Sequence, residues 1–309
     1  MIRAHMGSGL GTPDAPPSDL AAEAFLVLRD AFLPRGEGVR YGLREKRNTQ
    51  DDPFDEHVHL LLTNRLPGGI SAVKAPGPLI TPDLVVLRPA LCNGAPRNQL
   101  AVDLTSIVAL EVKKLERTAG GAVARASGMD YNTTPPCGTV RVYDREVQPL
   151  DIRAFYLFVC QERAGGEYRL SALTLCDGNV LNEDFDYYLS IVGARTKQIG
   201  LGTYGDGANR TRPMLIFGNP LGVEQLDRAA TLVHFRDDLI NVFPQLVLVG
   251  TLRRDVAPSG QRTFHCYRAR QDVPQGHTQF DLVNPFPTPE RDPVTQPRGR
   301  FKVDVRPGD

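Results

Sequence analysis

The chain has 309 residues, 41% of them hydrophobic, with 36 basic and 36 acidic side chains that cancel. That much apolar content builds a core and excludes global disorder. Zero net charge argues against a non-specific nucleic-acid coat protein, which usually carries a large basic excess, but not against an enzyme that gathers its positive charge in one cleft.

Residues 1–18 are rich in Gly, Pro and small side chains and lack the apolar core of a secretory signal, so they read as a flexible leader outside the fold. The first helix is expected from Leu20 to Phe32. Ser18 or Asp19 caps it, Leu20, Ala24, Val27, Leu28 and Ala31 form its stripe, and Pro34 with Gly36 and Gly38 stops it. The basic run Arg44, Lys46 and Arg47 follows on a loop, either as a solvated charge run or as a phosphate contact. A second helix begins at Asp52, a good N-cap, with Pro53 at N1 and Asp55 at N3. Phe54, Val58, Leu61, Leu62 and Leu66 line its buried face, and Pro67-Gly68-Gly69 ends it. Glu56 lies off that stripe.

Extended segments then dominate. Strands are expected at Ile70–Val73, Asp83–Arg88, Ser106–Leu115, Gly138–Tyr143, Ile152–Cys160, Tyr168–Leu175 and Pro213–Phe217, with Pro89–Leu100 as a turn-rich connection. Helices are expected over Glu183–Ala194 and Gly222–Ile240. Two late strands, Gln245–Leu252 and Thr263–Ala269, flank the turn Pro258-Ser259-Gly260. The simplest architecture is one α/β domain over residues 19–283, with a mixed central β-sheet flanked by helices. The Pro- and charge-rich stretch 284–309 is expected to be an irregular C-terminal tail.

Five cysteines, Cys92, Cys137, Cys160, Cys176 and Cys266, are odd in number and lack CxxC spacing. That argues against a zinc knuckle and against a disulfide framework, and makes a cytoplasmic protein the expectation. No run approaches the roughly 18 apolar residues of a membrane span, so no membrane partner is expected.

The chemistry concentrates on two apolar runs. Pro82-Asp83 opens Leu84-Val85-Val86-Leu87, and Glu111-Val112-Lys113 closes Ile107-Val108-Ala109-Leu110. If the two runs pair in one sheet, Asp83 and Glu111 converge, and two hard oxygen ligands at one point suit Mg²⁺. Lys113 shares the strand face of Glu111, because side chains alternate with period two. Such a triad suits phosphodiester cleavage.

These residues resemble the PD-(D/E)xK nuclease superfamily, the fold of most type II restriction endonucleases, over roughly Asp52 to Glu116. The resemblance implies a restriction-endonuclease-like sheet in which Asp83 and Glu111 bind Mg²⁺ and Lys113 orients or activates the attacking water. It further implies the backbone carbonyl of Val112 as a ligand. Many members add a glutamate from the preceding helix, for which Glu56 is the first candidate and Glu23 the second. The implied activity is Mg²⁺-dependent, sequence-specific cleavage of double-stranded DNA to 5′-phosphate and 3′-hydroxyl ends. A homodimer acting in a restriction system, with a DNA methyltransferase encoded nearby, would go with it. A structure-specific repair nuclease and an inactive DNA-binding module of the same fold are the alternatives.

Two polar, glycine-bearing segments are candidates for reading DNA. The first, from Gly128 to Gly138, offers Asp130, Asn132 and Thr133 and leads into Arg141. The second, from Gly202 to Arg212, offers Asn209, Arg210 and Arg212, with Arg195 and Lys197 upstream for phosphates. Asn suits adenine and Arg suits guanine in the major groove. The glycines do not precede a GK[ST] ending, which disfavours a P-loop. His57 and His59 are two apart on a helix and so do not chelate one ion, and neither GxSxG nor HExxH occurs.

Overall fold

The computed structural model describes residues 18–48, 51–77, 80–118, 120–123, 129–132, 137–181, 215–256, 260–286 and 303–308. Helix α1 spans Leu20–Phe32 and helix α2 spans Pro53–Arg65. Each starts where an aspartate satisfies amide donors that have no partner inside the helix. Asp19 accepts from Ala21 N and Ala22 N at 3.0 and 3.1 Å, and Asp52 accepts from Phe54 N at 3.0 Å. Leu20, Phe25, Leu28 and Phe32 of α1 and Phe54, Val58 and Leu62 of α2 are fully or almost fully buried.

The strands are β1 (Ser71–Lys74), β2 (Leu84–Leu87), β3 (Ile107–Glu116), β4 (Met129–Asn132), β5 (Thr139–Tyr143), β6 (Pro149–Ala164), β7 (Glu167–Asp177), β8 (Leu215–Gly218), β9 (Ala230–His234), β10 (Leu246–Val256), β11 (Gly260–Ala269) and β12 (Phe280–Val283). Ten of them form one mixed sheet in the order β1-β2-β3-β6-β7-β9-β11-β10-β12, with β5 on the first part of β6. The pairs β3/β6, β7/β9 and β10/β12 run parallel and the other neighbours antiparallel. Strands β4 and β8 pair apart from this sheet. The protein is thus mixed α/β, a large mixed sheet flanked by a few helices.

Alternation divides the core into two layers. Leu84, Val86, Val108, Leu110, Val112, Phe155 and Leu157 meet α1 and α2 on one face. Val85, Leu87, Ile107, Ala109, Leu115, Tyr156 and Phe158 meet β5 and the chain end on the other. Val303 and Val305 are almost fully buried in that second layer, and Val303 N donates to Tyr143 O at 3.0 Å. The described part of the tail is irregular in backbone and firmly packed.

One expected helix is corrected. Residues 222–240 do not form a helix. A 3-10 turn at Pro220–Gly222 leads through Arg228, whose φ is 51°, into strand β9, and only Leu239–Val242 is helical. Strand β9 is buried along its whole length, so its sequence carries no polar alternation to distinguish strand from buried helix. Strands β4 and β12 were not anticipated either. The stretch read as helix Glu183–Ala194 lies outside the described residues. Among those described, no helix is long and apolar enough to cross a membrane.

Candidate active site

The antiparallel register of β2 and β3 runs from Leu87 opposite Ile107 to Leu84 opposite Leu110. One step beyond the end of β2, the same register sets Asp83 against Glu111. Asp83 N donates to Glu111 Oε2 at 3.2 Å, and Val112 N donates to Asp83 Oδ2 at 2.8 Å. Lys113 lies two positions along β3 on the face of Glu111, and its Nζ donates to Glu111 Oε1 at 2.7 Å. The Lys113 and Glu111 side chains are only 10% and 9% exposed. Asp83, Glu111 and Lys113 therefore meet in one place, on one side of the sheet.

The electrostatics couple a further acid to this pair. Burial pushes the Asp83 carboxyl well above the usual carboxylate range, and the nearby charges of Glu111 and Asp55 push it further, against Lys113 and the Val112 amide. Burial also raises Asp55, in the first turn of α2, to about 7, with Asp52 and Glu111 adding to it and Lys114 and Lys74 opposing. Asp55 is thus coupled electrostatically to Asp83 and Glu111 from α2, which lies over the other face of the sheet. Lys74 ends β1, and the next residue, Ala75, donates its N–H to Asp83 O at 2.8 Å.

On α2 the acid coupled electrostatically to this pair is Asp55, while Glu56 is bonded to Arg44. Glu56 is held by Arg44, whose Nε donates to Glu56 Oε2 at 2.7 Å, and this bond keeps its carboxyl below the ordinary value. Arg44 also grips Asp51, which accounts for one member of the basic run 44–47 as structural. Burial raises Glu23, whose charged neighbours are Arg88 and Asp19 rather than Asp83. The sequence signal for Asp55 was masked by its second role in the first turn, where acids commonly complement the helix end.

Of the DNA-reading candidates, Asp130 and Asn132 lie on β4, opposite Phe217 and Leu215 of β8. Arg141, on β5, is gripped through two bonds of 2.7 Å by Asp151. Thr133, Arg195, Lys197, Asn209, Arg210 and Arg212 lie outside the described residues. His57 stacks on Tyr41, and His59 Nε2 sits 3.2 Å from Ala72 O, so the two rings serve different contacts. All five cysteines are buried.

Carboxylate oxygens are the donors that hard divalent cations take, and crowding them raises the energy of the empty site, which a cation relieves. Asp83 and Glu111, which meet across β2 and β3, offer donors of that chemistry. Among the described residues no group of three or more Asp, Glu, His or Cys side chains is placed to hold a metal ion. Glu111 is instead closed on Lys113, and Asp83 on the Val112 amide. Comparison with protein-family models, with curated proteins and with solved structures finds no match to the chain.

Proposed function

We propose that the protein is a Mg²⁺-dependent, sequence-specific endonuclease of double-stranded DNA, built on a restriction-endonuclease-like sheet. The observation that carries this reading is the meeting of Asp83 and Glu111 across β2 and β3 with the Lys113 ammonium 2.7 Å from Glu111. Cleavage needs two things at one point: oxygen donors for a cation, and a positive charge beside the attacking oxygen.

Asp83 and Glu111 would hold the ion. When bound, Mg²⁺ supplies Lewis-acid stabilisation of charge on the phosphoryl oxygens. Lys113 presents a compact point charge to the attacking water and to the charge that builds on the phosphate. Its bond to Glu111 holds the ammonium on the site side of the strand. The water oxygen attacks phosphorus in line with the departing 3′ oxygen, which leaves with a proton. The products are a 5′-phosphate and a 3′-hydroxyl. A palindromic target would be read by a two-fold homodimer, whose symmetry mirrors that of the site. A partner methyltransferase would protect the host's own copies.

The test is digestion of linear and supercoiled duplex DNA in MgCl₂ by the full chain and by Lys113→Ala. Discrete fragments from the native chain, with a rate about a hundredfold or more lower for the variant, are expected. Equal digestion by both rejects the assignment of Lys113. Cutting confined to flaps, junctions or mismatches selects a repair nuclease instead.

A further inference from the structure

We infer that Arg254 anchors an oxyanion site that takes a phosphate group, on the face of the sheet that carries Asp83 and Glu111. The inference goes beyond the nuclease reading, which supplies one source for that phosphate, the DNA backbone. Arg254 lies on β10 two positions after Leu252 and so shares its face. Leu252 packs in the layer that holds Tyr156, Val180 and Phe286. There the guanidinium donates from Nε to Val180 O at 3.0 Å and from Nη1 to Phe286 O at 2.8 Å. It also stands over the Phe286 ring, 5.2 Å from its centre, and the residue is only 5% exposed.

What this buried cation lacks is an anion. Arg29 and Arg117, with side chains 0% and 4% exposed, each grip carboxylates, Arg29 those of Asp30 and Asp272 and Arg117 that of Asp227. Among the described residues Arg254 has no such partner. Its neighbour Asp255 points to the opposite face, where Asn284 Nδ2 donates to it at 2.6 Å. An arginine does not shed its proton in a protein, and a buried charge without a partner is costly. Burial accordingly lowers the guanidinium from its ordinary value, against Cys176 and Asp255. The two carbonyls satisfy N–H groups but bring no negative charge. Among the described residues Nη2 has no acceptor, and a planar fork with donors to spare matches the oxygens of a phosphate.

The site also stands in line with the acid pair. Val180 closes the 3-10 turn Gly178–Val180, and that turn rests on Tyr156, since a Cβ on Gly178 would come 3.0 Å from Tyr156 Cε2. Tyr156 lies opposite Glu111 in the β3/β6 register. Strands β3 and β7 are separated by β6 alone. Two strand spacings amount to roughly 10 Å, the length of about three phosphates along one DNA strand.

The experiment is calorimetric titration of the full chain in EDTA with inorganic phosphate, against sodium chloride of equal ionic strength, for the native protein, Arg254→Lys and Arg254→Gln. A second arm repeats the phosphate titration with the native chain saturated with a DNA duplex. Saturable binding of phosphate by the native chain is expected. Arg254→Lys keeps the charge but not the fork, and is expected to bind about tenfold more weakly; Arg254→Gln, with neither, is expected to lose binding. Phosphate binding abolished by the duplex assigns the site to the DNA backbone, and binding left intact assigns it to a free phosphate compound. A native chain that does not bind phosphate overturns the inference. So does native affinity in Arg254→Gln with its circular dichroism unchanged, or in Arg254→Lys. A native chain that cuts DNA in MgCl₂ without binding phosphate leaves the nuclease reading standing and removes this site alone.

Discussion

Asp55 and Asp83 hold their protons more tightly than free carboxyls because burial removes water and the neighbouring acids repel the second charge. A carboxyl whose folded-state value is raised favours the folded chain while protonated and loses that contribution as pH rises through the folded value. For Asp55 the window lies between 3.8 and about 7. The cation-free chain is thus expected to lose stability over that window through these two groups. Asp55→Asn removes one of them. In EDTA, the urea-measured stability of Asp55→Asn relative to the native chain should rise by about 1–3 kcal/mol between roughly pH 4.5 and pH 8. The comparison is a difference because groups such as Asp144 and Asp238, lowered by their arginine partners, tilt both proteins the other way. A difference that does not change with pH refutes the crowding. The triad itself was legible in the sequence because each half is a local signal, an acid or a lysine at the end of an apolar run. Asp55 was not. Neighbouring acids on a helix point about 100° apart, and only tertiary placement decides which one is coupled to a distant pair of charges.

At the scale of elements, caps and apolar runs made α1, α2, β2 and β3 readable in advance, and long-range packing made β9 unreadable. Strand β9 matters because it anchors α1. His234 accepts the Arg236 N–H on Nδ1 at 3.0 Å, and its Nε2 lies 3.2 Å from Asp19 Oδ2. Arg236 Nη1 lies 3.5 Å from the same oxygen. Asp19 and His234 are both fully buried, and Phe155 stacks on the His234 ring. Burial opposes the Asp19 charge, but His234, the Ala22 amide and Arg236 together outweigh it and leave the carboxyl below its ordinary value. One side chain therefore starts a helix and ties it to a strand from the far half of the chain. Asp19→Ala removes both functions and leaves buried donors without their anion, at an expected cost of about 3–5 kcal/mol. Asp19→Asn keeps the cap and loses the charge, at about 1–3 kcal/mol. Urea denaturation of the two variants measures this, and near-native stability in both would show that the buried contact does no structural work.

At the scale of the molecule, the sheet is covered on one face by α1 and α2 and on the other partly by residues near the chain end. Composition suggested a loose tail there, since a run rich in Pro and charge lacks the periodicity of any regular element. Val303 and Val305 break that pattern, and both are buried. The segment is also held by backbone bonds at both ends, from Val303 N to Tyr143 O at 3.0 Å and from Gly308 N to Ala95 O at 2.6 Å. These contacts lie where β6 begins, beside Pro149, whereas Glu111 faces Tyr156 further along that strand. Removing residues 303–309 should therefore unseat the second core layer without touching the acid cluster. Two buried valines amount to about 3–6 kcal/mol of apolar burial, an upper range because unfolded chains already bury some of it. The truncated chain is expected to melt several degrees lower, by differential scanning fluorimetry in EDTA, while its Mn²⁺ affinity stays within about twofold of native below the transition. An unchanged melting point would mean that the tail's packing contributes nothing. A melting loss accompanied by lost Mn²⁺ binding would mean that the two layers of the sheet are coupled through β3, and that the site depends on both.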